Sequence, residues 1–289
     1  MGSAKLWTEL AASANGRTER GIGMRVIYMA KNKASCIGGL RYLLEKGVEV
    51  AAVVAPPKDD PSMGGRSLAE FAKSRGLRLA TDQELYDALE GKPSPVPKSA
   101  LENVDFVISF LFWKRIRAPL IRLPKFGCVN FHPAPLPDFR GVGGYNVAIC
   151  EGFPQWGASV HFVDEALDTG DIIRVERFPI DQEAETALSL DRKTQNVLLG
   201  MFRDFVDHAV RGEKFPRMKQ GPGRYVKKEE FEALRKIGAH EDAASIGRKI
   251  RAFWYPPYPG ATIEVDGKAY TLVDEKMMKK IGEMVHKED

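Results

Sequence analysis

The segment Asn130-Phe131-His132-Pro133-Ala134-Pro135-Leu136-Pro137-Asp138-Phe139-Arg140-Gly141 follows a hydrophobic run and sets an amide and an imidazole two residues apart. On an extended chain, residues two apart face the same side. Asn130 and His132 can therefore act on one atom, and the prolines behind them stiffen the departing chain. A second polar cluster, Asp164-Glu165-Ala166-Leu167-Asp168-Thr169-Gly170-Asp171, lies between two strand-like runs. The 38 residues from Asn130 to Asp168 can hold a helix and a strand, enough to return the carboxylate to the same rim. Gly170 permits a tight bend there.

An amide donor, an imidazole and a carboxylate, with no nucleophilic Ser or Cys beside them, suit a transfer in which the substrate supplies the nucleophile. The side-chain NH2 of Asn130 can donate to an oxyanion. His132 can share that role or move a proton near neutral pH. Asp168 can fix the imidazole's tautomer and favour its charged form, or receive a proton from an amine through water. Such a set would move a one-carbon acyl group to an amine. The alternative is a structural hydrogen-bond network at a strand end. Arg140 can bind a phosphate or tie down its own loop.

The elements that must position these groups begin at Met24. A short buried strand over 24–30, a helix over 36–47 ending at Gly47 and a β-branched strand over 48–56 make a βαβ unit, hence a parallel sheet. The cycle repeats through residues 67–80, and 104–112 and 126–132 supply further strands. Ligands of such a sheet bind at the carboxyl ends of its strands, where Asn130 and His132 fall. A helix over 144–152, two strands within 157–180 and a long amphipathic helix follow. That helix carries Leu190, Val197, Leu198, Met201, Phe202, Phe205 and Ala209 as a core stripe. Pro and Gly break the pattern over 214–225, where the domain boundary is expected. Beyond it come one short helix and a hairpin signalled by Asp266-Gly267.

The expected architecture is α/β: a Rossmann-like, mostly parallel catalytic domain over 24–212 and a small, mostly β (OB-like) domain over 213–289. Residues 1–23 stand apart as a leader or cloning remnant. A chain of 289 residues with net charge +4 can bury a sizeable core and falls short of a nucleic-acid footprint. Cys36, Cys128 and Cys150 show no C-x-x-C spacing, which fits a reducing cytoplasm and buried thiols. No apolar run approaches the roughly 18–20 residues that span a bilayer. His161 reads as a satisfied sheet histidine, and His208, His240 and His286 as surface positions, with no spacing that suggests metal ligands. Neither Gly141-Val142-Gly143-Gly144 nor the first βα turn forms a dinucleotide fingerprint. Residues 211–240 carry nine Lys or Arg against four Glu, which reads as a solvated face or as a surface for tRNA or diphosphate. The aromatic stretch 253–260 reads as a rigid turn packed at the domain junction, with base stacking as its alternative.

Asn130 to Gly141 and Leu167-Asp168-Thr169-Gly170-Asp171 resemble the two-part motif of formyltransferases that use N10-formyltetrahydrofolate. The resemblance covers about residues 24–212. It implies that Asn130, His132 and Asp168 are catalytic. It places the folate beneath Phe112, Trp113, Lys114, Arg115 and Ile116 and the loop holding Asp164 and Ala166, held largely by backbone groups. Arg140, Gly141 and Tyr145 become the substrate-binding candidates. Ala134 and Pro135 depart from the Ser and Leu of many members, which removes any hydrogen bond of that Ser. The segment 250–273 is similar to one in nucleotide-sugar N-formyltransferases, so a nucleotide-linked amino-sugar is the expected acceptor. Initiator methionyl-tRNA is the alternative, and a non-catalytic folate- or nucleotide-binding module is the alternative of another class. No metal is expected, no membrane partner either, and a homodimer through the C-terminal region is an expectation by resemblance alone.

Overall fold

The computed structural model describes residues 23–56 and 67–285. The leader expectation, for all but residue 23, and His286 lie outside these residues. Strands β1 (Arg25–Ala30), β2 (Glu49–Val54), β3 (Leu79–Ala80), β4 (Phe106–Phe110) and β5 (Gly127–His132) are parallel. Helices α1 (Ala34–Glu45) and α2 (Leu68–Ser74) connect the first three. Strands β7 (Gln155–Phe162) and β8 (Ile172–Pro179) extend the sheet in antiparallel fashion, giving the order β3-β2-β1-β4-β5-β7-β8. The order reverses between β1 and β4, the kind of position where open α/β sheets form their crevice.

Residues 26–30 of β1 are all buried, as a strand covered on both faces requires. On one face α1 and the long α6 (Ala187–Val210) pack Leu40, Leu43, Leu198, Met201, Phe202 and Phe205 against Val129 and Phe131. On the other, α3 (Asp82–Leu89) and α4 (Ala118–Arg122) pack Leu85, Tyr86 and Leu120 against Val107 and Cys128. Phe131 stacks on Phe110 at 5.3 Å between centroids and meets Phe202 at 5.0 Å. This packing locks the middle residue of Asn130-Phe131-His132 into the first core, so its two polar neighbours face the other side. Thr186 caps α6 reciprocally with Ser189. Cys36 and Cys128 are buried, and burial pushes the Cys36 thiol up to about 12.

A third core joins α5 (Gly144–Cys150) and Trp156 of β7 to the C-terminal region through Ile250, Phe253, Trp254 and Met277. The expectation of a mostly β, OB-like C-terminal domain is corrected here. Two four-residue strands, β10 (Thr262–Val265) and β11 (Lys268–Thr271), form a hairpin with Asp266 and Gly267 at φ 48° and 73°. Beside them lie three helices, α7 (Lys228–Leu234), α8 (Ala243–Ala252) and α9 (Glu275–Val285). The apolar residues of α7 and α9, such as Phe231, Leu234, Met277 and Ile281, recur at three- to four-residue spacing and pack on the third core. Strand β6 (Phe139–Gly141) pairs in parallel with β9 (Arg224–Val226), a contact between distant segments that local patterning does not announce. No described helix is long and apolar enough to cross a membrane.

Asp191 at the start of α6 clasps these parts together. Its Oδ2 accepts from Lys33 Nζ at 3.3 Å, Tyr255 Oη at 2.6 Å and Gln195 Nε2 at 2.6 Å, and its Oδ1 accepts from Tyr145 Oη at 3.2 Å. The aromatic stretch 253–260 is thereby tied to the end of β1. Asp191→Ala would take the carboxylate away from the largely buried Lys33 ammonium, which keeps its contact with Tyr255 Oη, and removing one partner of a buried ion pair costs about 3–5 kcal/mol. Urea unfolding of this variant should show a loss of that size.

Candidate active site

Cys128, Asn130 and His132 share the face of β5 opposite Phe131. Parallel pairing sets Ser109 of β4 beside Asn130, and antiparallel pairing sets His161 of β7 on its other flank. These neighbours fix the amide. Ser109 Oγ donates to Asn130 Oδ1 at 2.6 Å, and Asn130 Nδ2 lies 3.1 Å from His161 Nε2. His161 Nδ1 lies 2.7 Å from the Phe162 carbonyl, which can only accept, so the proton sits on Nδ1 and Nε2 is free to accept from Asn130. One N–H of Asn130 is thus spent on His161, while the second has no partner among the described residues.

Burial, reinforced by the neighbouring His132, pushes His161 down to about 4 despite the opposing pull of Asp168. The ring therefore stays neutral at physiological pH and keeps its acceptor lone pair. His161 does satisfy its sheet environment, but its place beside Asn130 makes it part of the site. Its offset from Asn130 across a strand pairing could not be read without knowing that β5 and β7 are neighbours.

The hairpin loop 163–171 folds over this face. Gly170 is needed there because a Cβ would overlap the Phe162 carbonyl oxygen. Asp168 sits at φ 56°, in the left-handed region that few non-glycine residues adopt, and is 8% exposed. Its Oδ1 lies 3.6 Å from His132 Nδ1 and 3.7 Å from His161 Nε2, and its Oδ2 accepts from the Gly141 N–H at 3.3 Å. His132 Nε2 faces the Phe139 carbonyl oxygen at 3.2 Å. The two ring nitrogens of His132 thus face two different oxygens, the Phe139 carbonyl within hydrogen-bond distance and the Asp168 carboxylate just beyond it. The structure brings Asn130, His132, Asp168 and Gly141 together.

The remaining sequence candidates lie around this centre. Leu111, at φ 57°, turns the chain after β4. Phe112 and Trp113 follow with ring centroids 4.6 Å apart, and Trp113 is 39% exposed. Ile116 is buried in the second core, and Lys114 pairs with Asp82 at 2.6 Å. Arg115 donates to the Glu165 carbonyl, and Arg122 bonds the Glu165 carboxylate at 2.7 Å, so the loop after β4 and the end of α4 are both tied to the loop after β7. Asp164 Oδ1 accepts from the Ala166 N–H at 3.2 Å and from Thr169 Oγ1 at 2.6 Å. Arg140 donates to Gln220 Oε1 at 2.8 Å and to the Gly221 carbonyl at 3.0 Å, so it ties down chain. Tyr145 does not reach the centre, since its hydroxyl is held by Asp191 and burial raises it well above its ordinary value. His208, expected at the surface, is buried against Phe215 and pairs with Glu213 through Nδ1, because the chain after α6 folds back over it. His240 is exposed.

The formyl transferase family model matches residues 24–199. The chain belongs to that family. It is 28% identical over 267 residues to the methionyl-tRNA formyltransferase of Citrifermentans bemidjiense, covering 89% of this chain and 77% of that protein. It is also 28% identical over 231 residues to the GDP-perosamine N-formyltransferase of Brucella melitensis, covering 79% of this chain and 84% of that protein. Among solved structures, a 4-N formyltransferase from Francisella tularensis superposes with TM-score 0.70 at 19% identity, covering 87% of this chain and 97% of that one. The N-formyltransferase from Helicobacter canadensis, in complex with folinic acid and dTDP-3-aminofucose, superposes with TM-score 0.67 at 20% identity over 85% of each chain. At those identities the likeness is one of fold.

The low position of His161 has a measurable consequence. The unfolded histidine takes up its proton near pH 6.5, the folded one only near 4, so the unfolded state binds more protons in between. Stability present above about pH 6.5 is lost as pH falls toward 4, by about 3 kcal/mol, and then levels off. His161→Gln keeps an acceptor for Asn130 but does not titrate. Urea unfolding across pH 4–7 should show this slope in the parent and its removal in the variant.

Proposed function

We propose that this chain transfers the formyl group of N10-formyltetrahydrofolate to the amine of a nucleotide-linked amino-sugar. The observation that carries the reading is the Asn130 amide, held at its oxygen by Ser109 and at one N–H by His161, with its second N–H unengaged among the described residues, near His132 and Asp168. A donor held in advance at the position where charge develops needs no reorganisation during reaction. The folate cosubstrate supplies an activated one-carbon acyl group. Asn130 donates to its carbonyl oxygen as the unprotonated acceptor amine bonds to the formyl carbon and the bond to the folate nitrogen breaks. His132 carries the amine's proton toward the departing nitrogen, and the Asp168 carboxylate balances the ring's positive charge. No covalent enzyme intermediate is required. Phe112 and Trp113 offer an aromatic edge to a pteridine, and the bridged loops at 112–116 and 164–166 offer backbone groups for its amide-like rim.

The small acceptor is supported by the fate of the basic run. Arg211, Lys219, Arg224 and Arg235 each pair with a carboxylate of this chain, and Arg217 lies over the Phe162 ring at 3.5 Å. A tRNA surface instead draws its affinity from many cations directed at phosphates. The GDP-perosamine enzyme among the relatives fits the same acceptor class. The methionyl-tRNA formyltransferases among the relatives favour the second reading, initiator tRNA.

The purified protein should therefore be incubated with N10-formyltetrahydrofolate and, separately, a panel of dTDP-, GDP- and UDP-amino-sugars and charged initiator tRNA, with formylation read by mass spectrometry. Formylation of an amino-sugar is the expected result, and formylation of tRNA alone would sink the acceptor assignment. His132→Ala should lower kcat by about 10²–10⁴-fold, and Asn130→Ala by about 10²–10³-fold. Rates equal to the parent would remove the catalytic assignment.

A further inference from the structure

Asp168 combines a buried carboxylate with a left-handed backbone conformation that L-residues other than glycine seldom adopt. It sits in a loop between two antiparallel strands, so the sheet ladder does not hold it. The chain over 217–221 does. Met218 forms an antiparallel bridge with Ile172, with N–H···O distances of 2.8 and 2.9 Å, and Lys219 pairs with Asp171 at 2.9 Å. These contacts lay the strap along the start of β8 and deliver the next side chain, Gln220, to the loop. Gln220 Nε2 donates to the Asp168 carbonyl at 3.1 Å and to the Gly170 carbonyl at 2.6 Å. The two bonds grip the backbone on either side of Thr169.

The orientation of that carboxamide is itself enforced. Gln220 Oε1 accepts from Arg140 Nη2 at 2.8 Å, and Arg140 also donates to the Gly221 carbonyl at 3.0 Å. Because Arg140 can only donate, the amide oxygen must point to it and both N–H groups must point to the loop. Arg140 lies in β6, next to Gly141, whose N–H donates to the Asp168 carboxylate. Asp168 is thus held twice from one short strand: through its side chain by Gly141, and through its main chain by Arg140 acting by way of Gln220.

We infer that Gln220 is a positioning residue for the transfer, holding the Asp168 backbone so that its carboxylate faces His132. Gln220 reaches no reacting group itself and acts only through Asp168. The inference rests on the proposed formyl transfer for its kinetic readout, but its geometric content can be tested without any acceptor.

The test uses the full chain with Gln220→Ala, Gln220→Glu, Asp168→Asn and the double variant Gln220→Ala/Asp168→Asn. Gln220→Glu is nearly isosteric and still accepts from Arg140, but as a carboxylate it cannot donate to the two carbonyls. With any acceptor that the parent formylates, both Gln220 variants should lose about 10–100-fold in kcat, as expected when a group moves by about an ångström. KM for the folate should stay within about twofold. Added to Asp168→Asn, Gln220→Ala should cost little more, because the two act as a unit. In ¹⁵N-histidine NMR, the His132 ring signals should shift in Gln220→Ala in the direction seen for Asp168→Asn, while those of the exposed His240 stay in place. Three results would overturn the inference: His132 signals unmoved in Gln220→Ala, a Gln220→Glu rate equal to the parent's, or an undiminished loss on top of Asp168→Asn. If the parent formylates none of the acceptors, the proposed function fails, and the NMR comparison still decides the role of Gln220.

Discussion

Everything at this site depends on one carboxylate being delivered from outside the sheet to within 3.6 Å of an imidazole at the end of a strand. Asn130 and His132 come almost without cost, because a strand whose middle residue is locked in an aromatic core presents both neighbours on one face. Asp168 has no such frame. It hangs from a hairpin loop, in a left-handed conformation, and must be restrained by its surroundings. Much that looks incidental answers to that need: the glycine that lets the loop pass under the Phe162 carbonyl, the parallel β6–β9 pair, and the strap that bridges Met218 to Ile172.

The parts legible in the sequence are those governed by local periodicity. Five consecutive buried positions in β1 and the Asp266-Gly267 turn each have a signature within a dozen residues, the α6 stripe repeats at helical spacing over 190–209, and each forms where that signature lies. The pairing of Asn130 and His132 was likewise readable from the two-residue repeat. What could not be read was the partner across a ladder. His161 matches a satisfied sheet histidine in every local respect, and only the pairing of β5 with β7 reveals that the group satisfying it is Asn130. The same holds for Arg140. Both of its readings were open in sequence, and the structure spends its guanidinium on Gln220 and Gly221, 80 residues or more away along the chain.

The C-terminal region shows the converse failure. A clear hairpin signal drew the expectation toward a β domain, although the hairpin is eight strand residues among three helices. Turn chemistry is the strongest short-range hairpin signal, whereas α7 and α9 are short helices of 7 and 11 residues with few apolar positions to announce them. Those helices hold their places by tertiary packing, sharing a core with Trp156 and α5, so their stability is written in contacts with the preceding sheet.

The position of β5 in the sheet explains why the polar groups gather there. It is the last parallel strand, with β4 parallel on one side and β7 antiparallel on the other. An antiparallel pair sets residues directly opposite, which brings His161 face to face with Asn130, while the parallel neighbour sets Ser109 alongside. The amide is therefore held at its oxygen by one ladder and at its nitrogen by the other, and rotation of the side chain would break both bonds at once. Burial keeps His161 neutral, so its lone pair remains available wherever the protein is folded near neutral pH. A change of strand direction, ordinarily a detail of topology, is what gives this chain a side-chain amide aimed and held before any ligand arrives.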